Sequence, residues 1–410
     1  MDKLFKYPTS PESAYETIAK RLKEDSNPRK NVESFVTAEM DEWANRLYYE
    51  TFGKNAIDKS ENPQTTAIEN ECWRILADLW NCPDVDNAIG CSTIGSSEAC
   101  MMAGLAMKRR WEENGGKGKP NIIISSATHV CWQKFCNYFD VEPRCAPILE
   151  HHKVLDGYGV LPLIDKNTIG VVAILGITYT GQFDDILNIS QMLNAISIRA
   201  GIDVSIHIDA ASGGMISPFL HPDLLWDFRL RNVVSINTSG HKYGLVYPGL
   251  GWIIWRHKDY LPDSLIHYVD YLGGHMPTWT LNFSRPGSQI LLQYWAFLRY
   301  GFEGFKVVQE RSLSLAKYLA SEIERMNIFQ LWADQINIPV FAWKLNPKYS
   351  FTLYELSDKM LNKGWMLPAY QLPYNMQDIT VQRIAVRNDM TLDTANEFLE
   401  DLQSSINELN

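Results

Sequence analysis

Between about residues 31 and 301 the chain alternates two kinds of pattern, and that alternation limits its fold more than any other feature. Segments with helical periodicity, such as Thr65–Trp80 and Ser97–Trp111, are separated by short strand candidates, several of them nearly continuous apolar runs. These candidates are Asn121–Ser125, Gly170–Gly176, Ser205–Asp209, Val233–Asn237 and Trp252–Trp255. A strand with one wet face alternates apolar and polar residues. The continuous runs do not, so both faces of their sheet need covering. The intervening helices are the available cover, which predicts an α/β domain on a mostly parallel sheet.

The flanks read differently. Ser10 is a good N-cap and Pro11 suits the first helical position, so a short helix should run to about Lys23 and end before Asn27-Pro28. Residues 1–30 are expected as an N-terminal arm, 31–312 as the large domain and 313–410 as a smaller α+β domain. A long helical stretch, Phe302–Met326, leads into the last of these. Strand patterns follow at Pro339–Leu345 and Arg383–Arg387, with helical patterns at Thr352–Gly364 and Thr391–Leu409.

Charge excludes some functions. The 410 residues carry a formal net charge of −10 with no basic cluster, which argues against nucleic acid or an anionic membrane as partner. No apolar run is long enough to span a bilayer. Seven cysteines (72, 82, 91, 100, 131, 136 and 145) form an odd set without a Cys-x-x-Cys pair. The start, Met1-Asp2-Lys3-Leu4-Phe5-Lys6, does not read as a secretory signal. The expectation is a cytoplasmic protein with free thiols and no metal site.

Three strand ends carry polar residues, and open α/β sheets bind ligands at the carboxyl ends of their strands. Asp209 closes the run Ser205-Ile-His-Ile-Asp. Ser96 and Ser97 stand where a loop enters a helix, a place suited to a phosphate. Ser239, His241 and Lys242 follow the run Val233–Asn237. Each has a plain reading alone: an ion-paired carboxylate, a serine cap, a surface lysine. Together they supply a pyridinium partner, an anion site and an amine able to form an imine, the three needs of pyridoxal phosphate.

The motifs Thr-Ile-Gly-Ser-Ser-Glu-Ala-Cys, His-Ile-Asp-Ala-Ala-Ser-Gly-Gly, Ser-Gly-His-Lys-Tyr-Gly-Leu, Val-Asp-Tyr-Leu-Gly-Gly and Asn-Phe-Ser-Arg-Pro-Gly resemble, in order, those of the glutamate decarboxylases. These belong to the group II pyridoxal-phosphate decarboxylases, and the resemblance runs from about Tyr7 to Leu409. It implies a fold-type I enzyme: a large domain with a mostly parallel mixed sheet, a small C-terminal domain, and a homodimer with shared active sites. It implies that Lys242 carries the cofactor, that Asp209 pairs with its ring nitrogen, and that Ala211 and His129 cover the two ring faces. Glutamate decarboxylases of bacterial and plant type often have glutamine where His129 stands. Ser96, Ser97, Ser239 and His241 match phosphate contacts, with Ser284 supplied by the neighbouring subunit. Thr180 matches a contact to the ring's phenolic oxygen, and Tyr271 a flap residue that protonates the carbanion.

For a small amino-acid substrate, the resemblance implies Arg387 at the α-carboxylate and Ser34, Phe35 and Asp58 at the distal carboxylate. Serine stands at position 34 where the family usually has threonine. The implied reaction is decarboxylation of L-glutamate to 4-aminobutanoate. A decarboxylase or related carbanion chemistry on another amino acid is the alternative, and a non-catalytic binding protein the distant one. In the acid-resistance enzymes of the family, an N-terminal helix bundles subunits and a C-terminal histidine blocks the site. This sequence begins near the end of that helix and has no histidine after His275, so neither a pH-triggered hexamer nor an acid switch is expected.

Overall fold

The computed structural model describes residues 3–271 and 274–409, so Leu272 and Gly273 of the Val-Asp-Tyr-Leu-Gly-Gly motif lie outside the described residues. Seven strands form the main sheet: β1 (Ile89–Thr93), β2 (Asn121–Ser125), β3 (Glu142–Ala146), β4 (Thr168–Ile174), β5 (Ile206–Asp209), β6 (Val233–Thr238) and β7 (Gly251–Trp255). Their order is β1-β7-β6-β5-β4-β2-β3. β7 runs antiparallel to both its neighbours and every other pairing is parallel. It follows that β1, β4, β5 and β6 all end at one edge of the sheet, and the loops leaving them converge there.

The apolar runs are buried on both faces, as their composition demands. Val171, Ala173, Ile206, Ile208 and Ile236 pack with Leu76 of the helix Pro63–Leu79 and with Ile290 and Leu292 of the helix Gly287–Arg325. Val172, Ile124, Val234 and Ile253 pack on the other side with Ala99, Ala103, Trp132 and Phe135. Those last four come from the helices Ser96–Glu113 and Val130–Tyr138. Two strands escape the apolar-run pattern for different reasons. β3 is an edge strand with Glu142, Pro143 and Cys145 exposed, while β1 is buried but built of Ile-Gly-Cys-Ser-Thr. Its Gly90 leaves room that a Cβ would fill, 3.0 Å from both Trp73 and the Ile253 carbonyl.

Two short strands, β8 (His267–Val269) and β9 (Met276–Thr278), pair as an antiparallel ribbon. The helix Gly287–Arg325 follows, interrupted at Gly301, whose φ of 56° favours glycine. Beyond it β10 (Phe329–Leu331), β11 (Val340–Leu345), β12 (Ala369–Gln371) and β13 (Thr380–Ala385) make an antiparallel sheet in the order β10-β11-β13-β12. This sheet has its own core, in which Leu319 and Ile323 meet Phe341, Trp343, Ile384 and the helices Leu353–Asn362 and Leu392–Asn407.

The segment Asn31–Thr37 joins the two cores. Val32 packs in the smaller one and receives a hydrogen bond from the Ala385 N–H, while Phe35 packs in the larger. Thr37 donates its N–H to the His241 carbonyl and its hydroxyl to the Lys242 carbonyl, each at 2.9 Å. The arm starts as its cap signals predict, with a helix Pro11–Leu22 whose Ser10 hydroxyl accepts the Ser13 N–H. None of that helix is buried within the chain.

Candidate active site

A cavity of about 480 Å³ opens where β1, β4, β5 and β6 end, and Ser96, His129, Thr178, Asp209, Ser239 and Lys242 all line it. Lys242 sits in the turn after β6, with its N–H on the Ser239 carbonyl. Its Nζ donates to Ser212 Oγ at 3.3 Å and lies 4.8 Å from the centre of the Phe35 ring. Burial pushes the amine below its ordinary pKa; Asp209 opposes the shift and the Arg383 guanidinium adds to it. Depression of this kind makes the neutral, nucleophilic amine easier to reach.

Asp209 is the last residue of β5 and is held from several sides. Its Oδ2 accepts Trp132 Nε1–H at 3.1 Å and Cys100 Sγ–H at 3.5 Å. Its Oδ1 accepts the Ala211 N–H and an Asn237 Nδ2–H. Asn237 faces Asp209 across the β5–β6 pairing and in turn holds His207 Nε2 at 2.8 Å, while His207 Nδ1 meets Ser235 Oγ at 2.8 Å. Burial pulls the His207 pKa down to about 4, so at neutral pH this network is uncharged behind the carboxylate.

The other end of the cavity is built for an anion. The helix Ser96–Glu113 begins there with no side-chain cap at Gly95, leaving first-turn N–H groups without intrahelical acceptors. Ser96 and Ser239 bring their hydroxyls within 2.8 Å of each other. A Cβ on Gly251 would lie 2.5 Å from the Gly95 carbonyl carbon and 2.7 Å from the Ser96 nitrogen, so the cup closes only on glycine. His241 accepts the Leu250 N–H at Nδ1, which leaves the proton of the neutral ring on Nε2. Burial, then the charge of Lys242, brings its pKa down to about 4.

Of the residues expected from sequence, Ser96, Ser97, His129, Asp209, Ala211, Ser239, His241 and Lys242 share the cavity wall. Phe35 lies under the Lys242 amine. His129 caps the helix Val130–Tyr138 through Nδ1. Its hydrogen bond with Cys131, and then the nearby charges of Cys131 and Asp209, raise its pKa against the effect of burial.

Other expected residues lie elsewhere. Thr180 turns into the protein with its hydroxyl buried and unpartnered among the described residues, and Thr178, two positions earlier, lines the cavity instead. Arg387 stands past the end of β13, because that strand stops at Ala385. It is tied to both Asp389 oxygens and to the carbonyls of Pro28 and Asn31. Arg383, within β13, reaches the site: it donates to the Thr178 and Glu33 carbonyls, and its Cζ lies 4.6 Å from the Phe35 ring centre. Its buried Nε has no partner among the described residues.

Ser34, Asp58, Tyr271 and Ser284 do not line the cavity of their own chain. The Ser34 hydroxyl accepts the Val36 N–H, and Tyr271 is 77% exposed. Ser284 is exposed and hydrogen-bonded to Asn55, three residues before Asp58 in the chain. Its neighbour Arg285 is buried against Glu69 and Ser92, which fixes the loop.

An amine poised for imine formation, a carboxylate oriented by four donors and an anion cup at a helix start fit pyridoxal phosphate, and the fold and site define a pyridoxal-phosphate-dependent enzyme. Comparison with known proteins narrows that class. Residues 8–346 match the model of the pyridoxal-dependent decarboxylase conserved domain, and the chain belongs to that family. It is 47% identical to glutamate decarboxylase beta of Listeria innocua, over 99% of this chain and 90% of that protein. It is 46% identical to the glutamate decarboxylase of Lactococcus lactis subsp. cremoris, over 100% of this chain and 90% of that protein. Among solved structures, Lactobacillus brevis glutamate decarboxylase superposes with a TM-score of 0.96 at 45% identity, covering 100% of this chain and 95% of that one. The fold is fold-type I, and the cofactor is pyridoxal phosphate.

Proposed function

We propose that the chain is a pyridoxal-phosphate-dependent glutamate decarboxylase, a carboxy-lyase that converts L-glutamate to 4-aminobutanoate and carbon dioxide. The relatives named above carry that activity in their names. The observation that carries the reading is Phe35, whose ring centre lies 4.8 Å from the Lys242 amine and 4.6 Å from the Arg383 guanidinium, so both groups gather at one ring. An α-amino acid presents an amine and a carboxylate on one carbon, and this pair answers both.

When bound, the cofactor accepts into its ring the electron pair of the breaking bond between Cα and its carboxylate. Lys242 holds it through the amine, and Ser96, Ser97, Ser239 and His241 hold its phosphate. Asp209 keeps a proton on the ring nitrogen, which the uncharged network behind it cannot take away. Ala211 and His129 cover the ring faces. Thr178, which lines the cavity where Thr180 does not, would serve the ring's phenolic oxygen. Arg383, whose Nε has no partner among the described residues, orients the α-carboxylate; its planar fork suits a carboxylate. Ser34, Phe35 and Asp58 remain our assignment for the distal carboxylate and Tyr271 for proton delivery to Cα.

Asp58, Tyr271 and Ser284 stand outside their own cavity, which supports a homodimer in which they serve the partner's site. The absence of a basic cluster supports a protein that works free of nucleic acid and membranes, and we assign it to the cytoplasm. Release of carbon dioxide from each of the twenty amino acids tests the reading. Glutamate should be the best substrate, aspartate weaker, and neutral side chains weaker still, since buried donors left unpaired cost about 1–3 kcal/mol each. Should valine, leucine or an aromatic amino acid be preferred, the alternative favoured by His129, decarboxylation of another amino acid, replaces it.

A further inference from the structure

The floor of the cavity carries two thiols that the proposed reaction does not use. Cys100 comes from the second turn of the helix Ser96–Glu113 and Cys131 from the first turn of the helix Val130–Tyr138. Packing of these helices brings both to Asp209. Cys100 Sγ, Cys131 Sγ and an Asp209 carboxylate oxygen lie within 4.8 Å of one another. Among the described residues this is the one group of three or more His, Cys, Asp or Glu side chains gathered so closely. All three also line the cavity, so the cluster opens to a route from solvent.

We propose that, in the cofactor-free chain, Cys100, Cys131 and Asp209 form a site for a thiophilic divalent cation such as Zn²⁺, and that cation and pyridoxal phosphate exclude each other. The exclusion rests on the cofactor reading above, because both ligands need Asp209; the cation site does not.

Tetrahedral zinc with sulfur at about 2.3 Å and oxygen at about 2.0–2.2 Å places neighbouring ligand atoms roughly 3.5–3.8 Å apart. The contact between Cys100 Sγ and Asp209 Oδ2 is already 3.5 Å. Trp132 Nε1 and Asn237 Nδ2 hold the carboxylate from behind, the service that outer-shell partners perform at metal sites. The fourth position faces the open cavity and takes water. Two thiolates select zinc or cadmium over magnesium or calcium. Binding forms two metal–sulfur bonds as two S–H protons leave for solvent, with no change of oxidation state.

The test titrates the full-length chain, stripped of cofactor, with Co²⁺ and Cd²⁺. One equivalent should bind, with sulfur-to-metal charge-transfer absorption, and Zn²⁺ should displace it. Cys131→Ser and Cys100→Ser should each weaken binding by more than the ~10–100-fold that follows loss of an outer-shell partner. Cys145→Ser, remote from the site, should change nothing. If Cys100→Ser does not fold, Cys131→Ser decides alone, with circular dichroism as its control. Saturating pyridoxal phosphate should abolish the metal band. Charge-transfer absorption that survives in Cys131→Ser, or no binding by a chain that still takes up pyridoxal phosphate on Lys242, overturns the cation site and leaves the cofactor reading standing. Cysteine-dependent binding that persists beside bound pyridoxal phosphate overturns the exclusion, and with it the place given to Asp209.

Discussion

Phe35 shows how single residues divide the work at this site. Its ring lies near two cations, one on each unit of the chain, and among the described residues neither has a carboxylate hydrogen-bonded to it. Arg387 has the opposite surroundings, locked to Asp389 and to two carbonyls of the arm. Arg383→Lys should therefore lower kcat/KM for glutamate by roughly 10–100-fold, because a charge-assisted hydrogen bond contributes about 1.5–3 kcal/mol. Arg387→Lys should leave kcat/KM within about threefold and lower the unfolding temperature instead, since it loosens a tie to the arm. Steady-state kinetics and thermal unfolding of both variants check this; equal kinetic losses would refute the division. Lys242→Ala should end turnover and leave no lysine trapped on the cofactor by borohydride. Mass spectrometry that found the label on another lysine would remove Lys242 from its role.

At the scale of elements, β5 carries both the carboxylate and part of its support. His207 is fully buried, and burial lowers its pKa to about 4 from an ordinary value of 6.5. Between those values the unfolded chain binds a proton that the folded one refuses, so His207 costs the fold stability as pH falls from about 6.5 toward 4. Asp184, whose pKa burial raises to about 7, titrates in the opposite sense, so the comparison must be between variants. His207→Gln should lose less of its unfolding temperature over that interval than the unmodified chain; parallel curves would contradict the assignment. Asp209 was legible because it closes a short segment, Ser205-Ile-His-Ile-Asp209, that reads as a buried strand. His207 and Asn237 were not, because their roles depend on which residues of β6 face which residues of β5, and no single sequence states that register. β3 stayed hidden for a simpler reason, its exposed edge composition.

For the whole molecule, the chain's own cavity lacks Asp58 and Ser284, and Ser284 is bonded to Asn55 in the segment that carries Asp58. If they serve a partner, Lys242→Ala and Asp58→Ala chains, each impaired alone, should complement on mixing. Random exchange puts half of all dimers in the mixed form, with one intact site each, so about a quarter of full activity should return. No recovery after verified subunit exchange would rule out shared sites. The same scale explains two displaced assignments. Thr178 and Thr180, like Arg383 and Arg387, differ by an even number of residues, so strand alternation cannot choose between the members of either pair. Where the turn closes, and where β13 stops, decides; both are set by packing between the two units. At Gly181 a Cβ would come within 2.5 Å of the Val340 carbonyl, so the threonine turn presses directly on β11.

The ring shared by two cations also works as a timing device. Burial first, and Arg383 in addition, keep Lys242 reluctant to hold a proton, with Asp209 pulling the other way. A carboxylate that docks on Arg383 cancels that guanidinium's share. The lysine, freed when the cofactor passes to the substrate's amine, then holds more readily the proton that an incoming ammonium group has to shed. Arrival of the acid half of a substrate thereby announces itself to the residue that must give up the cofactor to the other half. A ligand without a carboxylate delivers no such message, and finds a lysine still set for the empty site.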